Sequence, residues 1–302
     1  MRLPGALLVG LLLPAIGVRA ETRPGAAFLA IPMSVRQTGM GDTTMGGNDI
    51  LRSWSNPAML ARLAGTGEAA VTGSSLFGGE QVSSGLGLGW RISPALTLGG
   101  LMSYHSVSTA EIDVFGNTVS PDLGQNLFAV GIAAAARFGP LSLGATVKGI
   151  TEKLLERSGS TGAVDLGCVL EWGKFSAGVA GRNLGPAIRR PRQDVIGEAL
   201  PAELRMGAAF PAATDSLTAA LDYAWRSGRS GTAGFGFECR PISALALRLG
   251  VSGIGPGFEP RINLGFSGTD SRLGLDYAYT THPAGSSHQV SLSCAFGGSP
   301  TR

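Results

Sequence analysis

The sequence has little charge and few side chains of the kinds that bind metals or carry out redox chemistry. Charged residues make up 15% of the 302 residues, and only three cysteines and three histidines are scattered among them. None has the C-x-x-C or H-x-x-x-H spacing of a zinc site, and three isolated cysteines form no disulfide framework. A G-x-S-x-G nucleophile motif is also missing. We therefore predict no metal, no cofactor and no enzymatic activity.

A hydrophobic run long enough for a spanning helix is missing from the mature chain. Its longest apolar stretch covers residues 127–136, whereas a spanning helix needs about 20 residues. Residues 1–20 combine a basic start, an apolar run and small residues at the end, which predicts a signal peptide cleaved after Ala20. Cleavage removes Arg2 and Arg19, so the formal net charge falls from +3 to +1. We therefore expect no nucleic-acid partner.

Glycine is abundant instead. The chain has 47 glycines, more than twice the usual share of about 7%. From residue 68 onward, apolar residues alternate with small or polar ones; for example, Leu86 and Leu88 alternate with Gly85 and Gly87. Such a period of two is typical of β-strands, and repeated segments of this kind are typical of outer-membrane barrels.

Fourteen segments alternate in this way. They cover residues 68–77, 80–91, 95–106, 126–137, 141–152, 162–172, 174–183, 203–210, 216–225, 231–240, 244–252, 260–267, 271–280 and 288–296. We predict an all-β fold, a transmembrane antiparallel β-barrel of about 14 strands. Short connections alternate with longer ones, notably residues 107–125 and 184–202, and long loops lie on the outer side of such barrels.

The segment before the first strand does not alternate. Within it, Asn56 has the character of a helix N-cap, Pro57 of the first helical residue and Gly65 of the residue after the end. Many glycines of the strands point into the lumen by parity, which leaves room for a plug. We predict three parts: a signal peptide at 1–20, an N-terminal hatch inside the lumen at 21–66 and the barrel at 67–302.

Several short motifs occur in a characteristic order along the mature chain. They are Gly25–Pro32, Gly39-Met40-Gly41, Ser55-Asn56-Pro57-Ala58, Asn183-Leu184-Gly185-Pro186, Leu200-Pro201, Arg240-Pro241, Leu245-Ala246-Leu247-Arg248 and Leu275-Asp276-Tyr277-Ala278-Tyr279. Their order and spacing resemble the PorV/PorQ family of outer-membrane proteins. The resemblance implies a FadL-like barrel that docks or shuttles exported proteins in type IX secretion. Such exported proteins carry a C-terminal sorting domain. One departure is the tail of six residues that follows Phe296, because such barrels usually end on an aromatic residue.

Two other functions or folds are compatible with parts of the pattern. A FadL-type channel for long-chain fatty acids or other hydrophobic small molecules shares the hatch and the motif Asn56, Pro57 and Ala58. A soluble periplasmic β-sandwich or propeller is disfavoured, because the large apolar face has no second apolar layer to cover it.

Charged residues of both signs point into the lumen by parity. They are Arg91, Arg137, Lys148, Glu152, Asp165, Glu171, Arg182, Arg205, Asp222, Glu238, Arg240, Arg248, Arg261, Arg272 and Asp276. A charge in a restricted lumen needs a partner, so one interpretation is a paired network between strands and hatch. The other is a polar lining that guides the headgroup of a ligand.

The loop at 184–202 contains a group of arginines that has two interpretations. Arg189, Arg190 and Arg192 either bind an acidic partner or lipopolysaccharide phosphates, or lie in a solvated loop. The predicted location is the outer membrane of a diderm bacterium. The predicted partners are outer-membrane lipid and lipopolysaccharide, with exported proteins or hydrophobic small molecules as the transported or docked species.

Overall fold

A computed structural model describes residues 25–107, 111–112, 118–120, 124–154, 157–189, 198–212, 216–270 and 272–297. The predicted signal peptide, residues 1–20, lies outside these ranges. Among the residues that the structure describes, no helix is both long enough and apolar enough to cross a membrane.

The chain forms one closed antiparallel barrel of fourteen strands. The strands are β1 (Gly67–Leu76), β2 (Gln81–Arg91), β3 (Leu96–Val107), β4 (Gln125–Phe138), β5 (Leu141–Leu154), β6 (Arg157–Trp172), β7 (Phe175–Leu184), β8 (Glu203–Pro211), β9 (Leu217–Arg226), β10 (Thr232–Ile242), β11 (Leu245–Ile254), β12 (Arg261–Asp270), β13 (Leu273–Thr280) and β14 (Ser287–Phe296). Each strand pairs with its neighbours in sequence, and β1 closes the barrel against β14. The predicted fold and strand number are therefore confirmed.

The alternation of residue types corresponds to the two faces of the wall. In β2, Leu86 and Leu88 are exposed on the outside, whereas Gly85 and Gly87 are buried on the inside. The largest difference from the predicted boundaries is in β6, which begins at Arg157 rather than at residue 162. Its first residues are small and polar and show no alternation, but they pair with the long strand β5.

The two ends of the barrel differ in their connections and in their aromatic residues. Connections after even-numbered strands are short, and we call this the short-turn end. Those after odd-numbered strands include the long loops and define the long-loop end. The connection between β1 and β2 is an exception, because it is a one-turn 3₁₀ helix, Phe77–Gly79. Loop 107–125 contains a small two-stranded sheet, Glu111–Ile112 with Thr118–Ser120.

Aromatic side chains form a belt on the outer surface at each end of the wall. The short-turn end carries Trp90, Phe138, Trp172, Phe210 and Phe296. The long-loop end carries Tyr104, Tyr223 and Tyr279, whereas Tyr277 pairs with Phe266 at a level between the two ends. Tryptophan and tyrosine rings, which carry a polar group on an apolar body, favour the level of lipid headgroups. Trp90 and Trp172 at one end and the tyrosines at the other therefore fit a membrane-spanning wall.

The hatch passes through the lumen from one end to the other. Its elements are the 3₁₀ helix Ala27–Ala30, the short helix α1 (Val35–Gly39) and the 3₁₀ helices Ile50–Trp54 and Pro57–Arg62. At the long-loop end, the Gly25 N–H donates to the carbonyl of Ala199; at the short-turn end, the Thr66 N–H donates to that of Phe296. Gly25, the first described residue of the hatch, therefore lies at the long-loop end, whereas β1 begins at the short-turn end.

Inward glycines give the hatch backbone its space. A Cβ added at Gly236 would overlap the backbone of Met40, and one added at Gly250 would overlap that of Met40 and Gly41. One at Gly144 would overlap Pro57 and Ala58 in the same way. Only glycine permits the hatch backbone to lie this close to the wall at these positions. The apolar side chains of the hatch then form the core of the molecule inside the barrel.

Candidate functional site

The first cluster of charges between hatch and wall surrounds Glu238 of β10. Arg36 of α1 places its Nε 2.7 Å from Glu238 Oε2, and Arg248 Nε lies at the same distance from that oxygen. Arg240 Nε is 2.9 Å from the other oxygen, and Arg248 also approaches Asp276 at 3.4 Å. The cluster thus joins the hatch to β10, β11 and β13. The buried carboxylate of Glu238 needs these cationic partners, because an unpaired charge in the interior is costly.

The second cluster surrounds Glu203 of β8. Three guanidinium groups donate to this carboxylate: Arg182 at 2.9 Å, Arg205 at 3.0 Å and Arg226 at 2.6 Å. Arg205 also pairs with hatch residue Asp42 at 3.1 Å and with Asp222 at 3.6 Å. Arg182 donates through Nη2 to the carbonyl of Leu29 in the hatch. The second cluster therefore binds the hatch through both a side chain and a backbone carbonyl.

The third cluster contains Lys148, whose side chain is fully buried. Its Nζ lies 2.7 Å from Asp165 Oδ2 and 2.6 Å from Asn183 Oδ1. The ammonium group is also 4.6 Å from the ring centroid of Trp54 in the hatch, which is a cation–π distance. The charge is thus balanced by one carboxylate and stabilised further by an aromatic face of the hatch.

A fourth cluster lies at the short-turn end. Glu171 forms ion pairs with hatch residue Arg62, at 2.8 Å, and with Arg137, at 3.1 Å. Glu152 is buried on the inward face of β5, at 6% exposure, away from this cluster along the barrel.

Four predicted lumen charges lie outside these clusters: Arg91, Glu152, Arg261 and Arg272. Arg91 donates to the hatch carbonyl of Leu63, and Arg261 lies at the long-loop end. The prediction was wrong for Arg272, which is exposed in the turn before β13 because the strand begins only at Leu273. Each of the four clusters includes hatch residues.

One hatch arginine forms its contacts mainly within the hatch and was not identified from the sequence. Arg52 is fully buried and places its Nε 3.0 Å from Asp49 Oδ2, while Nη1 donates to the carbonyls of Thr44 and Met45. Burial lowers the pKa of Arg52 to about 10, against the opposing effect of Asp49. The group therefore remains charged at neutral pH and cross-links the irregular part of the hatch.

The motif Asn56, Pro57 and Ala58 is where the hatch is fixed to the wall. The Asn56 side chain accepts from the Ala58 N–H at 3.0 Å, which is the predicted N-cap. Its Nδ2 donates to the backbone carbonyls of Cys168 and Val179, at 3.3 and 3.4 Å. The motif therefore has a positioning role in the fold.

A cavity of about 660 Å³ lies inside the barrel at the long-loop end, and we call it the mouth cavity. Its floor is formed by the hatch, including Ile31, Thr38 and Asp42. Its walls come from β1, β9, β11, β12, β13 and β14 and from the connections between them. The volume falls within the range of about 300 to 1,000 Å³ that is usual for sites of small molecules.

The lumen below the mouth cavity is tightly filled. Met40, Met59 and Leu60 of the hatch are fully buried between the walls. Two neighbouring lumen cavities have only about 20 and 30 Å³, which is enough for single water molecules. The mouth cavity is therefore the space in the described lumen that suits an organic ligand.

The loop of the predicted arginine group folds back over the hatch. Ile188 is buried and exchanges two backbone hydrogen bonds with Glu198, and Gly25 of the hatch bonds to the adjacent Ala199. Arg189 forms a bridge with Ser160 and is exposed. Arg190 and Arg192 lie outside the described residues.

No protein-family model and no curated protein match the chain. Solved structures match over most of its length. A TodX deltaS2S3 mutant, a monoaromatic hydrocarbon channel, has a TM-score of 0.66 at 14% identity, with 87% of this chain and 99% of the channel covered. A Pseudomonas aeruginosa FadL homologue has a TM-score of 0.62 at 12% identity, with 86% and 97% covered. The Pseudomonas putida toluene transporter TodX has a TM-score of 0.61 at 13% identity, with 85% and 95% covered.

Identities this low show a common fold. The chain has the FadL-like barrel architecture. The similar structures include channels and a transporter rather than enzymes.

Proposed function

We propose that the protein is an outer-membrane channel that admits small molecules with an apolar body through the mouth cavity. The observation that carries this proposal is the cavity itself, which is open at the long-loop end and closed below by the hatch. A plugged barrel with an upper binding space suits a molecule that is captured first and released after the hatch rearranges. The long-loop end then faces the outside of the cell, as in other outer-membrane barrels.

The similar structures support a transport role. Two of them are described as a monoaromatic hydrocarbon channel and as a toluene transporter. The two aromatic belts and the apolar outer wall support a location in a membrane, and the predicted signal peptide supports export. Together these features favour the outer membrane of a diderm bacterium, with membrane lipid and lipopolysaccharide around the wall.

Docking of exported proteins, as in the PorV/PorQ family, is the second proposal. The observation in its favour is the exposed side chain of Arg189 on the long loop. The described part of that loop, however, packs against the hatch through Ile188 and leaves less of its backbone free for a partner. Docking also gives no use to the mouth cavity, so we favour transport.

Uptake of a labelled ligand separates the two proposals. Cells that lack their own hydrophobe channels and express this protein should accumulate labelled toluene or benzoate faster than cells with the empty vector. Two results together would contradict a transport role. Neither compound would enter faster than in the control cells, and a pull-down from envelope extracts would recover exported proteins with the parent but not with a variant that lacks Arg189. Trimming the loop at Arg189 should leave uptake unchanged.

A further inference from the structure

We propose that the mouth cavity binds compact organic acids, with one carboxylate on an apolar body about the size of a single ring, in preference to plain hydrocarbons. This inference rests on the proposed transport function and specifies its substrate class. It follows from the charges of the cavity and from the way in which its polar groups are already engaged.

Two arginines of the mouth cavity lack the carboxylate partners that the arginines of the four clusters have. Arg229 and Arg261 both line the cavity, and neither forms an ion pair with a carboxylate among the described residues. Arg226, in the same cavity, is held by Glu203 at 2.6 Å. The hatch arginines Arg36 and Arg52 are paired in the same way. A guanidinium group that lines an organic ligand site and has no carboxylate partner is suited to receive one from the ligand.

The other polar groups of the wall are engaged within the protein. Gln289 donates from Nε2 to the carbonyls of Pro32 and Met33, and its Oε1 accepts from Thr38. Asn263 donates to Ser252 and accepts from the hydroxyl of Thr280. These groups therefore require little from a ligand, and the unmet hydrogen-bonding capacity of the cavity is concentrated on the arginines.

The local balance of charge fits a ligand with one negative charge. Arg226 is neutralised by Glu203, and Asp42 by Arg205. Arg229, Arg261 and one further carboxylate, Glu259, complete the charged lining, which leaves a single positive charge in excess. A hydrocarbon covering the two guanidinium groups would remove them from water without a partner, at a cost that a carboxylate avoids.

A neutral histidine and several apolar side chains complete the cavity. Burial, together with the charge of Arg261, lowers the pKa of His282, so its ring is neutral at pH 7. The ring makes an edge contact with Phe77 at 4.7 Å between centroids. Phe77, Ile31 and Leu76 give the cavity an apolar side, and the hatch floor limits the depth to which a long chain can extend.

Benzoate and toluene are a matched pair of probes, because they share one ring and differ by the carboxylate. The test is calorimetric titration of the full mature chain in nanodiscs, with the heat from empty nanodiscs subtracted. We expect benzoate to bind more tightly than toluene. The double variant Arg229→Gln/Arg261→Gln should weaken benzoate binding ~10-fold or more, because it removes the charge-assisted hydrogen bonds between the guanidinium groups and the carboxylate. Toluene binding should change little in that variant. The control is Arg272→Gln, an exposed arginine at the short-turn end, which should bind benzoate as the parent does.

The inference is overturned if toluene binds as tightly as benzoate, or if the double variant binds benzoate normally while retaining the heat-sensitive gel migration of a folded barrel. If decanoate binds more tightly than benzoate, the ligand does not need a compact body. If terephthalate, which has two carboxylates, binds more tightly than benzoate, the ligand is not limited to one negative charge. If toluene alone binds and enters cells, the substrate class is wrong and the transport function stands. If neither compound binds or enters, the transport function fails as well.

Discussion

Arg36 of the hatch and Glu238 of β10 are 202 positions apart in sequence, yet Arg36 Nε lies 2.7 Å from Glu238 Oε2 inside the lumen. The contact fixes α1 against the wall, where Gly39 of α1 also packs closely on Gly265 of β12. Glu238 also receives Arg240 and Arg248, so this one carboxylate holds three positive charges together. Removing the carboxylate is therefore more damaging than removing any one of the arginines.

Glu238→Gln should destabilise the folded barrel substantially. The amide keeps the size of the side chain but removes the carboxylate that three guanidinium groups share, and breaking a buried ion pair in this way typically costs about 3–5 kcal/mol. The free energy of unfolding can be measured from urea titrations in detergent, followed by tryptophan fluorescence. The matched control is Glu80→Gln, an exposed carboxylate on the first hairpin, which should change stability by less than about 0.5 kcal/mol. Equal effects of the two variants would contradict the anchoring role of Glu238.

Gly236→Leu should displace the hatch and open the lumen to ions. Its Cβ would meet the backbone of Met40, which cannot move aside as a flexible side chain does, so the overpacking costs about 1–3 kcal/mol or more. Conductance in planar bilayers should rise relative to the parent. The control, Gly100→Leu, adds the same side chain where nothing lies within 4 Å and should leave conductance unchanged. A closed Gly236→Leu barrel would show that the hatch is not held at this position.

Asn56→Ala should loosen the hatch without unfolding the barrel. It removes the cap of the Pro57–Arg62 turn and the two hydrogen bonds to strand carbonyls, and loss of a cap alone costs about 1 kcal/mol. Limited proteolysis should cut the hatch of the variant faster than that of the parent. Asn56→Asp retains the cap acceptor but not the two donated bonds, and it should show an intermediate rate. Unchanged protection in Asn56→Ala would contradict the role assigned to the motif.

The closed barrel should resist unfolding by detergent at room temperature. A barrel without free strand edges has no place from which the sheet can unravel, so unheated protein should migrate faster than boiled protein on a denaturing gel. The same samples should fractionate with the outer membrane. Recovery of the mature chain in the soluble periplasmic fraction would contradict the membrane-spanning fold.

The strands and the hatch motif could be predicted because their signals are local. Alternation in β2 and the N-cap at Asn56 depend on neighbouring residues, and the structure has both. The start of β6 was missed because the small polar residues there become a strand only through pairing with β5. Parity placed Arg261 in the lumen, but sequence gives no indication of which arginines have partners, since Arg36 and Glu238 meet only after the barrel closes.

The mouth cavity could not be predicted for the same reason. It is formed by residues from opposite ends of the chain, such as Ile31 in the hatch and Gln289 in the last strand. The inward glycines did indicate space for the hatch, but the fraction of that space left empty depends on how the hatch folds. The sequence accordingly favoured docking loops, whereas the structure directs attention to the lumen.

Uptake by two tryptophan variants of neighbouring residues tests the central claim most directly. Ser74 lines the mouth cavity at 7% exposure, whereas Ser75, the next residue in β1, faces outward. Ser74→Trp should obstruct the cavity and reduce uptake of labelled benzoate to near the level of cells with the empty vector. Ser75→Trp places the same ring on the outer surface near the tyrosine belt and should transport as the parent does. Equal uptake by both variants, at equal amounts of folded barrel, would contradict passage through the mouth cavity.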